Sequence, residues 1–135
     1  MKFPYAKFGR VGSEIIKRPV VPIEVKFEDE TVLYDALIDS GADICIFDAA
    51  IGEQLGINII SGIPIVFGGA EYSKGSAAYL HQVKIKIKNK EIKTQVAFTY
   101  NIANHGHGLL GQKGFFDKFA IKFDYSNDVV DISSR

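Results

Sequence analysis

Asp39 stands out by its position in the chain. It ends the apolar run Leu33-Tyr34-Asp35-Ala36-Leu37-Ile38 and opens the pentapeptide Asp39-Ser40-Gly41-Ala42-Asp43, which leads into a second apolar stretch, Ile44-Cys45-Ile46-Phe47. A carboxylate at the end of a buried strand is held in a low dielectric, a cost normally avoided unless partners are supplied. Such an acid, with its backbone fixed by a Ser-Gly turn, is a candidate for proton-transfer chemistry. Ser40 supplies a hydroxyl to hold the loop, and Gly41 lets the backbone pass closely.

Other groupings are weaker. Gly106-His107-Gly108-Leu109-Leu110-Gly111 spells a dinucleotide-binding fingerprint. That motif needs a strand before it, a long helix after it and a further strand, and only 24 residues follow Gly111. His105 and His107 could face one way on an extended segment and ligate a metal for a hydrolase, but no third ligand is evident. They read better as solvent-facing loop histidines. Ser40 lacks a Gly-x-Ser-x-Gly elbow and a placed histidine, so it is a poor nucleophile. Cys45, between two isoleucines, reads as a buried inert thiol.

The elements that must position these residues are mostly strands. Ile23, Val25 and Phe27 alternate with Glu24 and Lys26, and Glu28-Asp29-Glu30 turns into a strand from Thr31 to Ile38. Val83, Ile85 and Ile87 alternate with Lys84, Lys86 and Lys88, and Asn89-Lys90 reads as a hairpin turn into Glu91 to Phe98. Ile121, Phe123 and Tyr125 form a further alternation, with a last strand at Val129 to Ile132. Asp48 to Leu55 can make two helical turns, capped by Asp48 and stopped by Gly56. Gly114 to Phe119 is a second short helix candidate. The strand-like Gly62 to Phe67 leads into the glycine-laden segment Gly68 to Ser76, after which Ala77 to Leu80 resumes. The chain is expected to be one all-β domain, closed or nearly closed into a barrel, because many short strands must manage their edges.

The Asp39 pentapeptide resembles the active-site loop of aspartic peptidases, Asp-Thr/Ser-Gly followed by Ala. It is most similar to that of the retropepsins, the single-lobe family that includes the retroviral proteases. Leu109-Leu110-Gly111, with the helix candidate after it, resembles the family's second motif, which passes beneath the catalytic loop. The resemblance implies an acid-protease barrel covering residues 18–135, with 1–17 as an N-terminal extension. It also implies an endopeptidase in which paired acids share a proton and activate a water, without any cofactor or metal. Two like charges about 3 Å apart cannot both ionise, so one acts as base while the protonated one donates to the substrate carbonyl.

The signature occurs once, so the second acid must come from another copy of the chain, in a two-fold dimer. By the same resemblance Gly68, Gly69 and Ala70 belong to a flap over an extended polypeptide substrate, and Asp43 binds substrate backbone. Arg18, before Pro19, resembles the retroviral arginine that reaches the partner's second loop acid, here Asp43. The pattern departs from the retroviral one at Gln112, where an arginine would pair with Asp43, and in its longer N-terminus and flap region. A rival expectation is a dimeric peptide-binding or scaffold module of the same fold with little or no turnover.

Composition narrows the partners further. Sixteen basic residues balance sixteen acidic ones, which argues against broad attraction to nucleic acid or anionic membrane. The lysine row from Lys84 to Lys90 lacks a stacking platform and reads as a solvated strand face. One cysteine excludes an internal disulfide. No apolar run approaches the roughly 20 residues that span a bilayer, and the start lacks a secretory signal, so a cytoplasmic protein is expected.

Overall fold

A computed structural model of the protein describes residues 1–67, 76–102 and 106–135. In chain order the strands are β1 (Lys2–Phe3), β2 (Ala6–Val11), β3 (Glu14–Arg18), β4 (Val20–Phe27), β5 (Glu30–Ile38) and β6 (Ile46–Asp48). Helix α1 (Ala49–Gln54) and a 3-10 turn at Ile59–Ser61 separate these from β7 (Ile63–Phe67), β8 (Ser76–Ile87), β9 (Lys90–Thr99), β10 (Gly108–Leu110), β11 (Phe119–Asp124) and β12 (Val129–Ser134).

The main sheet runs β4-β5-β10-β6-β9-β8-β7, and β4 also pairs with β8. That extra pairing, Glu24 with Lys86, Val25 with Ile85 and Lys26 with Lys84, closes six strands into a barrel. Closure removes the exposed edges of those six, leaving β7 as an appended strand on β8. The alternation read from the sequence faces as expected: Val21, Ile23 and Val25 of β4 and Val83, Ile85 and Ile87 of β8 are buried, while Lys84 and Lys88 are exposed. Phe47, Phe98, Phe115 and Phe119 are the largest side chains of the core.

Two hairpin turns show how the core face sets register. The β8–β9 turn occupies Lys88-Asn89, one residue earlier than the Asn89-Lys90 expected. Lys88 takes a positive φ of 52°, and Ile87 pairs with Lys90. This register pairs Ile85 with Ile92 and keeps both on the barrel's inner side; a one-residue slip would turn one set outward. Glu28 does the same between β4 and β5, with φ 52° and Phe27 paired to Glu30.

Helix α1 is where the sequence placed it. The Asp48 carboxylate accepts from the Ala50 amide at 2.9 Å, and Gly56 ends it with φ 83°. The second helix candidate is corrected: residues 114–118 are turns. Gly114 has φ 100°, outside the helical region, and its amide donates to Asp117 Oδ1 at 3.0 Å. The resulting coil drives both Phe115 and Phe119 into the core.

The N-terminal residues are built into this body. β1 pairs with β12, which pairs with β11, and Phe3 and Tyr5 join the core. β2 and β3 form a separate hairpin.

Phe98, fully buried and edge-on to both Phe47 and His81, sits where β9 crosses the barrel. Phe98→Ala is expected to lower unfolding free energy by about 3–5 kcal/mol in urea titration. A loss below 1 kcal/mol would contradict a packed core at this point.

Candidate functional site

The site is a crossing of two backbones. Strand β5 delivers Asp39, and β10 lies between β5 and β6, parallel to one and antiparallel to the other. Leu110 pairs with Ile38, and the Asp39 amide donates to the Leu110 carbonyl at 3.0 Å. On the far side of the loop the Gln112 amide donates to Ala42 O at 2.8 Å, and the Lys113 amide to Asp43 O at 2.9 Å. Thus the segment from Leu110 to Lys113 runs along the whole length of the acid loop and fixes it at both ends.

Gly111 sits at the point of closest approach. A Cβ there would lie 2.6 Å from the Ile44 carbonyl carbon and 2.7 Å from Ala42 O, and would meet Ile44 O closer still. These are backbone atoms and cannot swing aside, so the crossing requires glycine for space. Its amide donates to Cys45 Sγ at 3.4 Å, and that thiol reaches the Lys113 carbonyl at 3.7 Å. Cys45 is fully buried, as its neighbours suggested, and burial pushes its thiol up from 9.0 to about 11.

Within the loop, Asp39 is half-buried and its carboxylate Oδ1 accepts from the Gly41 amide at 2.9 Å. The Ala42 amide donates to Asp39 O at 3.1 Å and closes the turn. Ser40, Gly41 and Asp43 are exposed, as an accessible site requires. Gln112, which sequence reading registered only as a lost ion pair, has a role of its own. Its side-chain amide donates to Ser40 O at 2.5 Å. Nothing in the sequence marked that contact; the alternation of Ile44, Cys45 and Ile46 signalled the burial of Cys45 but not its hydrogen bonds.

An apolar wall borders the loop, separate from the barrel core. Ile46, Ala78 and Ala97 are buried there, with Ile44, Ile65, Leu80 and Leu109 packed on them. A groove of about 520 Å³ opens from Ile44, Ile65 and Leu80 towards Lys113 and Lys118. Arg18 ends β3, its guanidinium 5.2 Å from the centre of the Phe8 ring. Gly68, Gly69 and Ala70, expected in the flap, lie outside the described residues, as does His105.

His107 corrects an expectation. It is buried at 4 % exposure, edge-on to Phe8, with Nδ1 3.2 Å from Gly108 O. A solvent-facing histidine is expected from its loop alone, and the Phe8 ring against it comes from a segment far away in sequence. Among the described residues no group of His, Cys, Asp and Glu is placed to hold a metal. The glycine fingerprint enters β10 and is followed by turns, which rules out a dinucleotide-binding βαβ unit.

Replacing Gly111 by Ala forces apart the two backbones that hold the acid. A loss of about 3 kcal/mol or more in urea unfolding is expected, together with loss of site function. Unchanged stability in Gly111→Ala would refute the crossing.

Alkaline stability supplies a second check. Burial holds Cys45 neutral to about 11, and holds Tyr34, whose hydroxyl accepts from the Asp48 amide at 3.2 Å, neutral to about 12. The unfolded chain ionises both groups earlier, so protons are lost on unfolding. Stability therefore falls as pH rises from about 9 to about 11 for the thiol, by on the order of 2–3 kcal/mol. Urea midpoints should drop more steeply over that window in the wild type than in Cys45→Ala; parallel slopes would show that the thiol is not buried in solution.

The architecture and the acid loop together have counterparts among known proteins. Residues 23–113, which span both the acid loop and the strand beneath it, match the family described as Aspartyl protease. The fold is shared with a retropepsin-like aspartic protease from Rickettsia conorii, with TM-score 0.62 and 13% identity over 98% of this chain and 88% of that one. It is also shared with EIAV protease, solved with an inhibitor, with TM-score 0.54 and 22% identity over 76% of this chain and 86% of that one. No curated protein sequence matches the chain. Since the family match takes in most of the barrel and both segments of the crossing, this chain belongs to the aspartyl protease family, and it shares its fold with these retropepsin-like structures.

Proposed function

We propose that the chain hydrolyses peptide bonds of extended polypeptides with two Asp39 carboxylates, one from each of two copies related by a two-fold axis. The observation that carries this reading is the loop itself. It holds the half-buried Asp39, with its backbone fixed on both sides by the Leu110 to Lys113 segment and its Oδ1 oriented by the Gly41 amide. Half of a two-carboxylate centre is thereby built within each chain.

When two such loops meet, the acids share one proton. The ionised one takes a proton from the water between them, and the water oxygen attacks the scissile carbonyl. The protonated one donates to the carbonyl oxygen, giving a tetrahedral diol without a covalent enzyme intermediate. A proton passed to the leaving nitrogen then lets the carbon–nitrogen bond break. Ser40 and Gly41 shape the loop, and Asp43 contacts substrate backbone. Arg18 would leave Phe8 to pair with Asp43 of the partner subunit.

The segment containing Gly68, Gly69 and Ala70, carried between β7 and β8, covers the substrate in this reading. The apolar wall of Ile44, Ile46, Ile65 and Leu109 favours apolar side chains beside the scissile bond. An extended substrate would lie strand-like along it.

Purified protein should cleave an unstructured protein such as casein at mildly acid to neutral pH and be blocked by pepstatin-like inhibitors. Asp39→Asn should reduce kcat by at least about three orders of magnitude while the variant stays folded and dimeric. Cleavage that survives Asp39→Asn would remove the acid from the mechanism. Peptide binding without cleavage across that pH range would instead make the protein a binding module.

A further inference from the structure

The groove beside the acid loop changes character along its length. At the loop end it is lined by Ile44, Ile65 and Leu80, which belong to the apolar wall. Further out it is lined by Lys93, Lys113 and Lys118, with Asp117 among them. The Asp117 carboxylate is already engaged, its Oδ1 accepting from the Gly114 amide at 3.0 Å. Among the described residues, none of the three lysines is paired with a carboxylate.

Strand register concentrates this charge. In one row across β4, β8 and β9, Glu24 stands opposite Lys86 and Lys86 opposite Glu91, so the signs alternate. In the adjacent row Lys26 stands opposite Lys84 and Lys84 opposite Lys93, which puts three ammonium groups in line. Like charges directly opposite one another destabilise a sheet unless something of opposite sign lies between them. Glu91 meets Lys26 at 3.1 Å, at the end of the row away from the groove. Lys93 stands at the other end, the one that lines it.

Backbone contacts tie the basic end to the acid loop. The Lys113 amide donates to Asp43 O at 2.9 Å, and Ile44 bridges to Lys113. The groove therefore runs from the loop, by way of Ile44, to the three lysines. A substrate strand lying along the apolar wall would carry its outer side chains into it.

We propose that this groove selects substrates by charge, by taking an acidic side chain of the polypeptide. The aliphatic stem of that side chain lies on Ile44, Ile65 and Leu80, and its carboxylate sits among Lys93, Lys113 and Lys118. The same three ammonium groups repel Lys or Arg at that place, so preference comes from both signs of the interaction. The proposal rests on the reading of the chain as a peptidase and adds the sequence it prefers: apolar beside the scissile bond, Asp or Glu further out. A two-fold pair carries the groove twice, once on each side of the scissile bond.

The test uses two peptide series built around one Leu-Phe pair, with either Glu or Lys placed at each flanking position in turn. In the wild type, kcat/KM for the Glu peptide should exceed that for the Lys peptide at least about five-fold at an outer position, less so as salt rises. In Lys93→Glu/Lys118→Glu the ratio should fall below one at that same position. The comparison is made within one enzyme, so a general loss of activity does not move it. Should that variant be poorly folded by circular dichroism, Lys93→Gln/Lys118→Gln should bring the ratio close to one. A wild-type ratio near one at every position, or an unchanged ratio in the folded variants, overturns the proposal. If the wild type cleaves neither series, fluorophore-labelled forms of the same peptides are followed by anisotropy. Tighter binding of the Glu peptide, lost in Lys93→Glu/Lys118→Glu, keeps the groove while defeating hydrolysis, and equal binding of both peptides defeats the groove as well.

Discussion

The contact between Gly111 and the backbone of Ala42 to Ile44 is the constraint on which the site depends. Two chain segments almost 70 residues apart pass at a distance that leaves no room for a side chain. Everything that orients Asp39 follows from that approach. The amides of Asp39, Gln112 and Lys113 find carbonyl partners across the crossing, and the Gly111 amide finds the Cys45 sulfur. Buried polar backbone groups must be paired, so neither segment can shift without breaking several of these bonds together. The acid is thereby placed by backbone geometry, with little left to side-chain rotamers.

The barrel holds that crossing from both sides. β10 is only three residues long, yet it fills the gap between β5 and β6 and completes the ring. Its first residue is crowded too, by side chains: a Cβ at Gly108 would lie 2.6 Å from the Tyr34 ring and 2.8 Å from the Phe47 ring. Phe47 is the core residue that follows the acid loop by way of Cys45 and Ile46, so core packing and site geometry share side chains. The apolar wall lies on the other face of the same strands, where Ile46 pairs with Leu109 and with Ala97. One short stretch, Ile44 to Phe47, thus serves loop, wall and core in turn as its residues alternate faces.

What could be read in advance was whatever alternates or caps. The faces of β4, β5, β8 and β9, the Asp48 cap and Gly56 stop of α1, and the order of acid loop and Leu109-Leu110-Gly111 are all local patterns with a local cause. The misses have non-local causes. The Lys88-Asn89 turn is decided by which register buries Ile85 and Ile92 together, not by the turn residues. Gly114 looks like a helix start until its positive φ is imposed by the need to bury both Phe115 and Phe119. His107 is covered by Phe8, almost a hundred residues away, and Gln112 reaches Ser40 across the crossing. Neither contact leaves a periodic trace. Within the site, then, the acid and its glycines were legible from type and spacing, while the hydrogen bonds that support them required the fold.

A centre divided between two chains, as proposed, would place a demand on each. If the acid were oriented only on association, the free energy of meeting would be spent partly on ordering the loop. Here the loop's supports are all internal: Leu110 O, the Gln112 amide and side chain, the Gly41 amide and the Cys45 thiol belong to the same chain as Asp39. Gln112 does this without a formal charge. Its neutral side-chain amide holds the Ser40 carbonyl. In the proposed pairing each copy would therefore bring an ordered loop, and association would have only to set the distance between the two acids.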